Sequence, residues 1–343
     1  MMDIQALKAR IKSGNVRGWY IFAGEEDYLK KYYLAELRRA AVDDGPFATF
    51  NHSVYDGDDV DISSIEEDIK SPPMMGEYKF IEWKFADLDG QKESFKKALV
   101  ELTEIKADYP TSVFAIMTTA EGFDAGTQKR PSKLANKLSA GFEIINLAKS
   151  TDAQLLGWLK KHFDAEGIAV DLQSLNALLF RAGRSMEVLN NEVEKLSAYL
   201  KMNGRTALTP DVVEEIACST VECDAFALSN AVIEKNSARA FVALSDLKQR
   251  RVEPQAVLAM LERTYSDLVS VALLLKEGKD SSDIEATLKL HPYKTKLYIG
   301  AAKKIGMSKL AEGLAELCDL DAKSKSGGPA GYGAIEMFVA KHV

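Results

Sequence analysis

The chain has 343 residues, of which 46% are hydrophobic and 28% are charged, and its formal net charge is −7. This length predicts two or three domains that each bury a core, and no stretch reaches the roughly 20 apolar residues of a membrane span. The acidic balance argues against a protein that coats nucleic acid through bulk positive charge. Because the first residues lack the regions of a signal peptide, we expect a cytoplasmic protein with no membrane partner.

The cysteines and histidines follow no spacing that indicates a metal site or a disulfide framework. The cysteine count is odd, no pair has CxxC spacing, and the histidines form no ligand pair. We therefore predict no metal and no cofactor. The seven residues to which we assign packing or surface roles are Cys218, Cys223, Cys318, His52, His162, His291 and His342.

The first 148 residues alternate between strand-like and helix-like patterns. After the first strand, a helix is predicted to about residue 42, and further helices over 58–69 and 91–106. Short apolar strands are predicted over 19–23, 47–55, 78–83, 113–117 and 142–145. Alternation of this kind predicts a parallel sheet that is covered by helices on both sides.

From Lys149 onward the strand patterns stop and helical patterns continue to the end of the chain. Thr151–Gln154 has the pattern of a capping box, and Thr209-Pro210 begins a helix with proline at its first position. We place boundaries near residues 148 and 215. The predicted domains are an α/β domain at 1–148, a small three-helix domain at 149–215 and an all-α domain at 216–343.

The turn after the first strand is where a parallel α/β sheet binds phosphate, because helix N-terminal amides point there. A P-loop needs a second glycine five residues after the first, then Lys, then Ser or Thr. After Gly24 the chain has Leu29, Lys30 and Lys31 at those positions, so the phosphate cradle and the magnesium-binding hydroxyl are missing. Three carboxylates over 25–27 would also repel a triphosphate. An ordinary capped helix is therefore favoured over a nucleotide site.

Several segments follow one another in an order and spacing that resemble a known family. They are residues 20–29 (YIFAGEEDYL), 73–81 (PMMGEYKFI), 183–196, 290–293 (LHPY) and 319–324 (DLDAKS). No single segment is specific, but together they resemble the delta subunit of the bacterial DNA polymerase III clamp loader over nearly the whole chain.

The resemblance implies an AAA+-type core, a small helical lid and a helical collar that joins a ring with the loader's ATPase subunits and its delta-prime subunit. It also implies that the chain binds the sliding clamp (the beta subunit) and opens it for loading onto primed DNA. Met186 lies where ATPase relatives carry a sensor arginine, and the chain has no Ser-Arg-Cys motif. Both departures agree with a subunit that has no chemistry of its own within the DNA polymerase III holoenzyme, a nucleotidyltransferase complex.

A short segment, PPMMG at 72–76, precedes the third predicted strand. Its two prolines stiffen the approach to an apolar pair of methionines beside a turn glycine. The resemblance implies that Pro73, Met74, Met75 and Gly76 contact the clamp and that the methionines enter an apolar pocket. The alternative interpretation is that the two methionines simply begin a buried strand.

Residues 289–311 carry six lysines and no carboxylate. Lysines suit phosphate contacts, and a tyrosine can stack on a base. The candidate DNA contacts are therefore Lys294, Lys296, Tyr298, Lys303 and Lys304. The alternative is a solvated helix surface whose tyrosines pack inward.

Two other functions stay open. One is an active AAA+ ATPase with an atypical nucleotide loop, which tight magnesium-dependent ATP binding would favour. The other is a scaffold protein without a clamp partner. An unchanged clamp affinity after replacement of Met74 and Met75 would remove the assignment of these residues to a clamp contact.

Overall fold

The computed structural model describes residues 1–42, 45, 48–290, 292–326 and 331–343. It divides the chain into two compact units, Met1–Thr151 and Asp152–Val343. This division resolves no boundary near residue 215, so the separate helical domains at 149–215 and 216–343 stay a prediction.

The first unit is a parallel sheet with helices. Its strands are β1 (Trp19–Ala23), β2 (His52–Asp56), β3 (Lys79–Ala86), β4 (Ser112–Thr118), β5 (Gly126–Thr127), β6 (Arg130–Pro131) and β7 (Phe142–Asn146). In the described part of the unit, five strands pair in parallel in the order β2-β3-β4-β1-β7, while β5 and β6 form an antiparallel hairpin. The helices are α1 (Ile4–Ser13), α2 (Asp27–Ala41), α3 (Ile62–Lys70), α4 (Glu93–Leu102) and α5 (Lys133–Leu138), with 3₁₀ turns at Ala48–Asn51 and Thr103–Ala107.

The inner strands of the sheet are buried on both faces, since every residue of β1 and β4 is buried. The edge strand β2 is partly exposed. Trp19 and Ile21 point to one face, where they join a cluster with Trp83. Tyr20 and Phe22 point to the other face, because successive side chains of a strand alternate. The continuous apolar runs in the sequence are what a parallel sheet covered on both sides requires.

The predicted strands of this unit are confirmed, with differences at their ends. The third strand begins at Lys79 and continues to Ala86. The second begins only at His52, because a 3₁₀ turn occupies the preceding residues; Phe47, which the prediction included, lies outside the described residues. The helix predicted from residue 58 begins at Ile62, where the carboxylate of Asp61 caps it.

The second unit is almost entirely helical. Its helices are α6 (Asp152–Ala165), α7 (Leu172–Ala182), α8 (Met186–Met202), α9 (Pro210–Ile216), α10 (Val221–Ile233), α11 (Ser237–Gln249), α12 (Pro254–Lys276), α13 (Ser281–Leu288), α14 (Pro292–Ile305), α15 (Met307–Lys325) and α16 (Tyr332–His342). Two short strands, β8 (Ala169–Val170) and β9 (Ala207–Leu208), form a parallel pair. The prediction that no strand follows Lys149 was wrong here, because strands of two residues show no periodicity.

Helix α12 lies at the centre of the second unit, where it packs against α10, α14 and α15. Its residues Leu261, Tyr265 and Leu268 are buried. The approach of α15 is close at Gly313, where a Cβ would lie 2.6 Å from the ring of Tyr265. Tyr298 of α14 belongs to the same core. His291, which belongs to the LHPY segment, and residues 327–330 lie outside the described residues.

Candidate functional site

The turn between β1 and α2 is closed onto the chain that follows β7. Gly24 has a φ of +99°, and a Cβ at this position would lie 2.4 Å from the carbonyl oxygen of Leu147, so the turn requires glycine. The amide of Glu26 donates to that same oxygen at 3.0 Å, and the amide of Leu147 donates to Ala23 at 2.8 Å. The Glu26 amide is thus bonded to backbone and is not offered to a phosphate.

Lys30 occupies the position of a P-loop lysine, yet it is fully buried. Its Nζ donates to the carbonyl oxygen of Thr118 at 2.8 Å and lies 2.8 Å from Oδ1 of Asp27. A buried ammonium needs such partners because its desolvation costs several kcal/mol. The side chain therefore ties α2 to the end of β4 and does not reach outward to a ligand.

The residues around this lysine do not build a phosphate cradle. Leu29 stands where a P-loop has its second glycine, and it packs against the core below the turn. Glu25 and Asp27 are exposed, and so is Lys31. Burial raises the pKa of Glu26, and the nearby charge of Asp27 acts in the same direction. The turn is acidic where a nucleotide would need positive charge.

The segment between α3 and β3 forms an exposed apolar tip. Met75 is 83% exposed and Met74 is 47% exposed, and the strand begins only at Lys79. The alternative interpretation that the two methionines begin a buried strand was therefore wrong. Pro73 is half-buried and Gly76 is exposed. We call residues 73–76 the methionine tip.

Asn51 holds the methionine tip from the side. Its side chain, on a residue only 5% exposed, accepts a hydrogen bond from the amide of Met74 at 2.6 Å and donates one to the Met74 carbonyl at 2.9 Å. A Cβ on Gly76 would lie 2.8 Å from Nδ2 of Asn51. Met75 has a φ of +53°, which is uncommon for a residue other than glycine. The backbone of the tip is fixed while the Met75 side chain stays in solvent.

An ion pair closes the base of the same loop. Nζ of Lys79, at the start of β3, lies 2.6 Å from Oδ1 of Asp68 on α3, and the hydroxyl of Tyr55 donates to the other carboxylate oxygen at 2.7 Å. Burial acts to raise the pKa of Asp68, but hydrogen bonds from Lys79, Tyr55 and Ser53 outweigh it and lower the pKa. The tip therefore projects from a loop that is closed at its base.

Sequence reasoning missed Asn51, which bonds to the tip, and the exposure of its neighbour in the chain, Phe50. Asn51 acts across 23 positions of the chain, and no local pattern predicts such a contact. Phe50, the preceding residue, is 61% exposed. Phe50 falls within the strand that was predicted over 47–55, and an aromatic residue in a strand is expected to be buried. Its exposure was therefore not predicted.

The structure corrects one of the candidate DNA contacts. Tyr298 is fully buried, and its ring centroid lies 5.1 Å from that of Phe226. Lys294 lies 4.8 Å above the Tyr298 ring and 3.2 Å from Asp267. The prediction that Tyr298 stacks on a base was therefore wrong, since its ring faces the core, as the alternative interpretation had it.

The other candidate lysines of α14 lie at the surface. Nζ of Lys304 lies 3.5 Å from a carboxylate oxygen of Glu234. Lys296 and Lys303 are exposed and lie seven positions apart, which places them on one side of the helix. A contact of these lysines with DNA stays a prediction.

The described residues include no group of three or more His, Cys, Asp or Glu side chains that could hold a metal ion. Within this part of the chain, no helix is long and apolar enough to cross a membrane. The three cysteines are free thiols, of which Cys218 and Cys318 are exposed and Cys223 is buried.

Two family models match the chain, one within each unit. The family model described as "DNA polymerase III, delta subunit" matches residues 20–144. The model described as "DNA polymerase III delta subunit, C-terminal domain" matches residues 222–342. Together the two models match well over half of the chain.

Individual relatives support the same assignment. The chain is 22% identical over 334 residues to DNA polymerase III subunit delta of Bacillus subtilis (strain 168), covering 96% of this chain and 94% of that protein. It is 26% identical over 274 residues to a probable DNA polymerase III subunit delta of Aquifex aeolicus (strain VF5), covering 76% and 72%. The solved structure of the Bacillus subtilis DNA clamp loader delta protein has a similar fold, with a TM-score of 0.57, 20% identity and coverage of 99% of both chains.

The chain has an AAA+-like fold, in which a parallel sheet covered by helices is followed by a helical unit, and it shares this fold with the solved clamp loader delta protein. With the two matching family models, the chain belongs to the delta subunit family of DNA polymerase III, the family of the clamp loader delta protein.

Proposed function

We propose that this chain is the clamp-loader subunit that binds the sliding clamp and opens it for loading onto primed DNA, without hydrolysing ATP itself. One observation carries the proposal: two neighbouring methionines are exposed on a loop whose backbone is held at its side and at its base. Exposed apolar side chains on a fixed loop are typical of a protein-binding site.

The energetics of the tip suit an anchor. Complete burial of the exposed parts of Met74 and Met75 would contribute about 2–4 kcal/mol to binding, before the costs of association. Because the Asn51 hydrogen bonds and the Asp68–Lys79 ion pair already fix the loop, little further backbone entropy is lost on binding.

Opening a ring requires more than an anchor. The subunit must bind the opened clamp more tightly than the closed clamp, because equal affinity for both states shifts no equilibrium. A tip that is bonded to the sheet moves with the first unit as one body. Rotation of this unit would then displace the clamp surface that the tip holds.

The turn after β1 supports a role without ATP hydrolysis. Lys30 is buried against Thr118 and Asp27, and Leu29 stands in place of the glycine that would curl around a phosphate. We therefore propose that the energy for the cycle comes from the loader's ATPase subunits. The second unit would supply the collar contacts with those subunits and with the delta-prime subunit, within a cytoplasmic DNA polymerase III holoenzyme.

The test is a double variant of the tip, Met74→Ala with Met75→Ala, in the full-length chain. Its affinity for the purified sliding clamp of the same organism, measured by isothermal titration calorimetry, is expected to fall by about 30- to 700-fold, the equivalent of 2–4 kcal/mol. The matched control is Met202→Ala with Met337→Ala, since these methionines are 87% and 70% exposed elsewhere on the chain. We expect no change for the control.

An unchanged affinity of the tip variant would contradict the assignment of the contact to the methionine tip. An equal loss in the control variant would also contradict it, because the loss would then not depend on the tip. A wild-type chain that does not bind the clamp would favour a scaffold protein without a clamp partner.

A further inference from the structure

We infer that Asn51 is the positioning residue of the methionine tip: it holds the loop in the shape that presents Met75, and so sets the affinity for the clamp without touching it. This inference rests on the proposed clamp contact. Asn51 is the last residue of the 3₁₀ turn before β2, while the tip lies beyond α3.

The hydrogen-bonding pattern of Asn51 is complete and directional. Its side-chain oxygen accepts from the amide of Met74 at 2.6 Å, and its side-chain nitrogen donates to the carbonyl of the same residue at 2.9 Å. One amide side chain therefore satisfies both backbone groups of Met74. Because two bonds to one residue fix orientation as well as position, and because Asn51 is itself buried, the loop has one backbone setting at this point.

The next residue shows why the loop needs such a partner. Met75 has a φ of +53°, in the left-handed region that a residue with a Cβ adopts only at a cost in free energy. The fixed position of Met74 holds Met75 in this conformation, with its side chain 83% exposed. Without Asn51, the segment would relax toward an ordinary backbone conformation, and the Met75 side chain would point in other directions.

Gly76 offers an independent way to disturb the same contact. A Cβ on Gly76 would lie 2.8 Å from Nδ2 of Asn51, so alanine would displace the amide group that bonds to Met74. The φ of Gly76 lies outside the left-handed region that favours glycine, so its substitution acts through this clash and not through backbone strain.

The experiment compares variants of the full-length chain by their affinity for the purified sliding clamp. Asn51→Ala is expected to weaken binding by about tenfold and Gly76→Ala by a similar factor, since a loop that samples several shapes binds with a lower apparent affinity. Asn51→Asp keeps the acceptor for the Met74 amide but replaces the donor with an oxygen that faces the Met74 carbonyl, so it is also expected to weaken binding. The matched control is Asn136→Ala, an exposed residue of α5 in the same unit.

Two double variants separate positioning from a general loss of folding. In the Met74→Ala, Met75→Ala background, Asn51→Ala should cause no further loss of affinity, because there is no longer an anchor to position. Gly76→Ala combined with Asn51→Ala should be no weaker than Asn51→Ala alone, because no side-chain amide remains to be displaced. Circular dichroism checks the fold, and Gly76→Ala and Asn51→Asp carry the test if Asn51→Ala does not fold.

The outcomes are distinct. If the methionine variant loses affinity but Asn51→Ala, Asn51→Asp and Gly76→Ala do not, the inference is overturned and the proposed function stands. Full additivity of Asn51→Ala with the methionine variant also overturns it. If the methionine variant itself binds as the wild type does, both the inference and the assigned contact are overturned.

Discussion

At the scale of single residues, burial and near partners decide what a lysine side chain does. Lys30 lies at the position of a phosphate-binding lysine, but its ammonium group is buried and paired with Asp27 and Thr118. Lys79 is also buried, and its pairing with Asp68 closes the loop that carries the methionine tip. The charge of each lysine serves the fold, which is the use expected where a buried charge has near partners.

The three cysteines provide a prediction at this scale. Burial raises the pKa of Cys223 to about 11, and burial followed by the nearby carboxylate of Glu192 raises the pKa of Cys218. Because the thiolate is the reactive form, we expect Cys318, which is exposed, to react first with a disulfide reagent at pH 8, Cys218 more slowly, and Cys223 only after unfolding. Mass spectrometry of timed samples identifies the labelled residue. Labelling of Cys223 in the native protein at the rate of Cys318 would contradict the packing described for α10.

At the scale of elements, the loop between α3 and β3 is held in place by contacts within the chain. The Asn51 amide holds its side and the Asp68–Lys79 pair closes its base. The side chains of Met74 and Met75 remain exposed and available for contact. Such a loop gives up little conformational freedom on binding, which is how a small apolar surface supports a useful affinity.

The ion pair at the base predicts a pH dependence. Because the pKa of Asp68 is lowered in the folded state, its charged form contributes stability above the unfolded-state pKa of about 4, and this contribution is lost as the pH falls through the folded-state pKa. Asp68→Asn should therefore reduce the free energy of unfolding by on the order of 1–3 kcal/mol at pH 7, the range for a hydrogen bond to a charged group. The difference between variant and wild type should shrink toward pH 3.

Urea unfolding of both proteins between pH 3 and pH 7 measures this difference. The control is Glu101→Gln, which removes an exposed pair with Lys97 on α4 and is expected to cause no measurable change. A loss in Asp68→Asn that stays constant across this pH range would show that the charge of Asp68 is not the cause.

At the scale of the whole molecule, the sequence predicted the strands and their parallel sheet well and individual contacts poorly. Strands such as β1 and β4 are continuous apolar runs, so their burial on both faces was visible locally. Helix α1 was not predicted. Leu7 is its only fully buried residue, so its apolar pattern is weak. The pair of Ala169 with Ala207 depends on two segments that are distant in the chain.

In the candidate sites too, local features could be predicted from the sequence and distant contacts could not. The missing P-loop glycine and the apolar methionine pair are local features, and both could be recognised from sequence. Whether Met74 and Met75 are exposed depends on where β3 begins, which the sequence left open. Tyr298 was wrongly predicted to be a surface residue because lysines flank it in α14. The buried side of this helix is formed by Thr295, Tyr298 and Ala302, which are spaced by three and four positions.

We propose that this chain binds the sliding clamp and needs no nucleotide of its own to do so. Titration of the isolated full-length chain with the purified clamp, in the absence and in the presence of magnesium-ATP, tests it most directly. We predict the same dissociation constant under both conditions. Clamp binding that appears only with magnesium-ATP, or no binding under either condition, would contradict this claim.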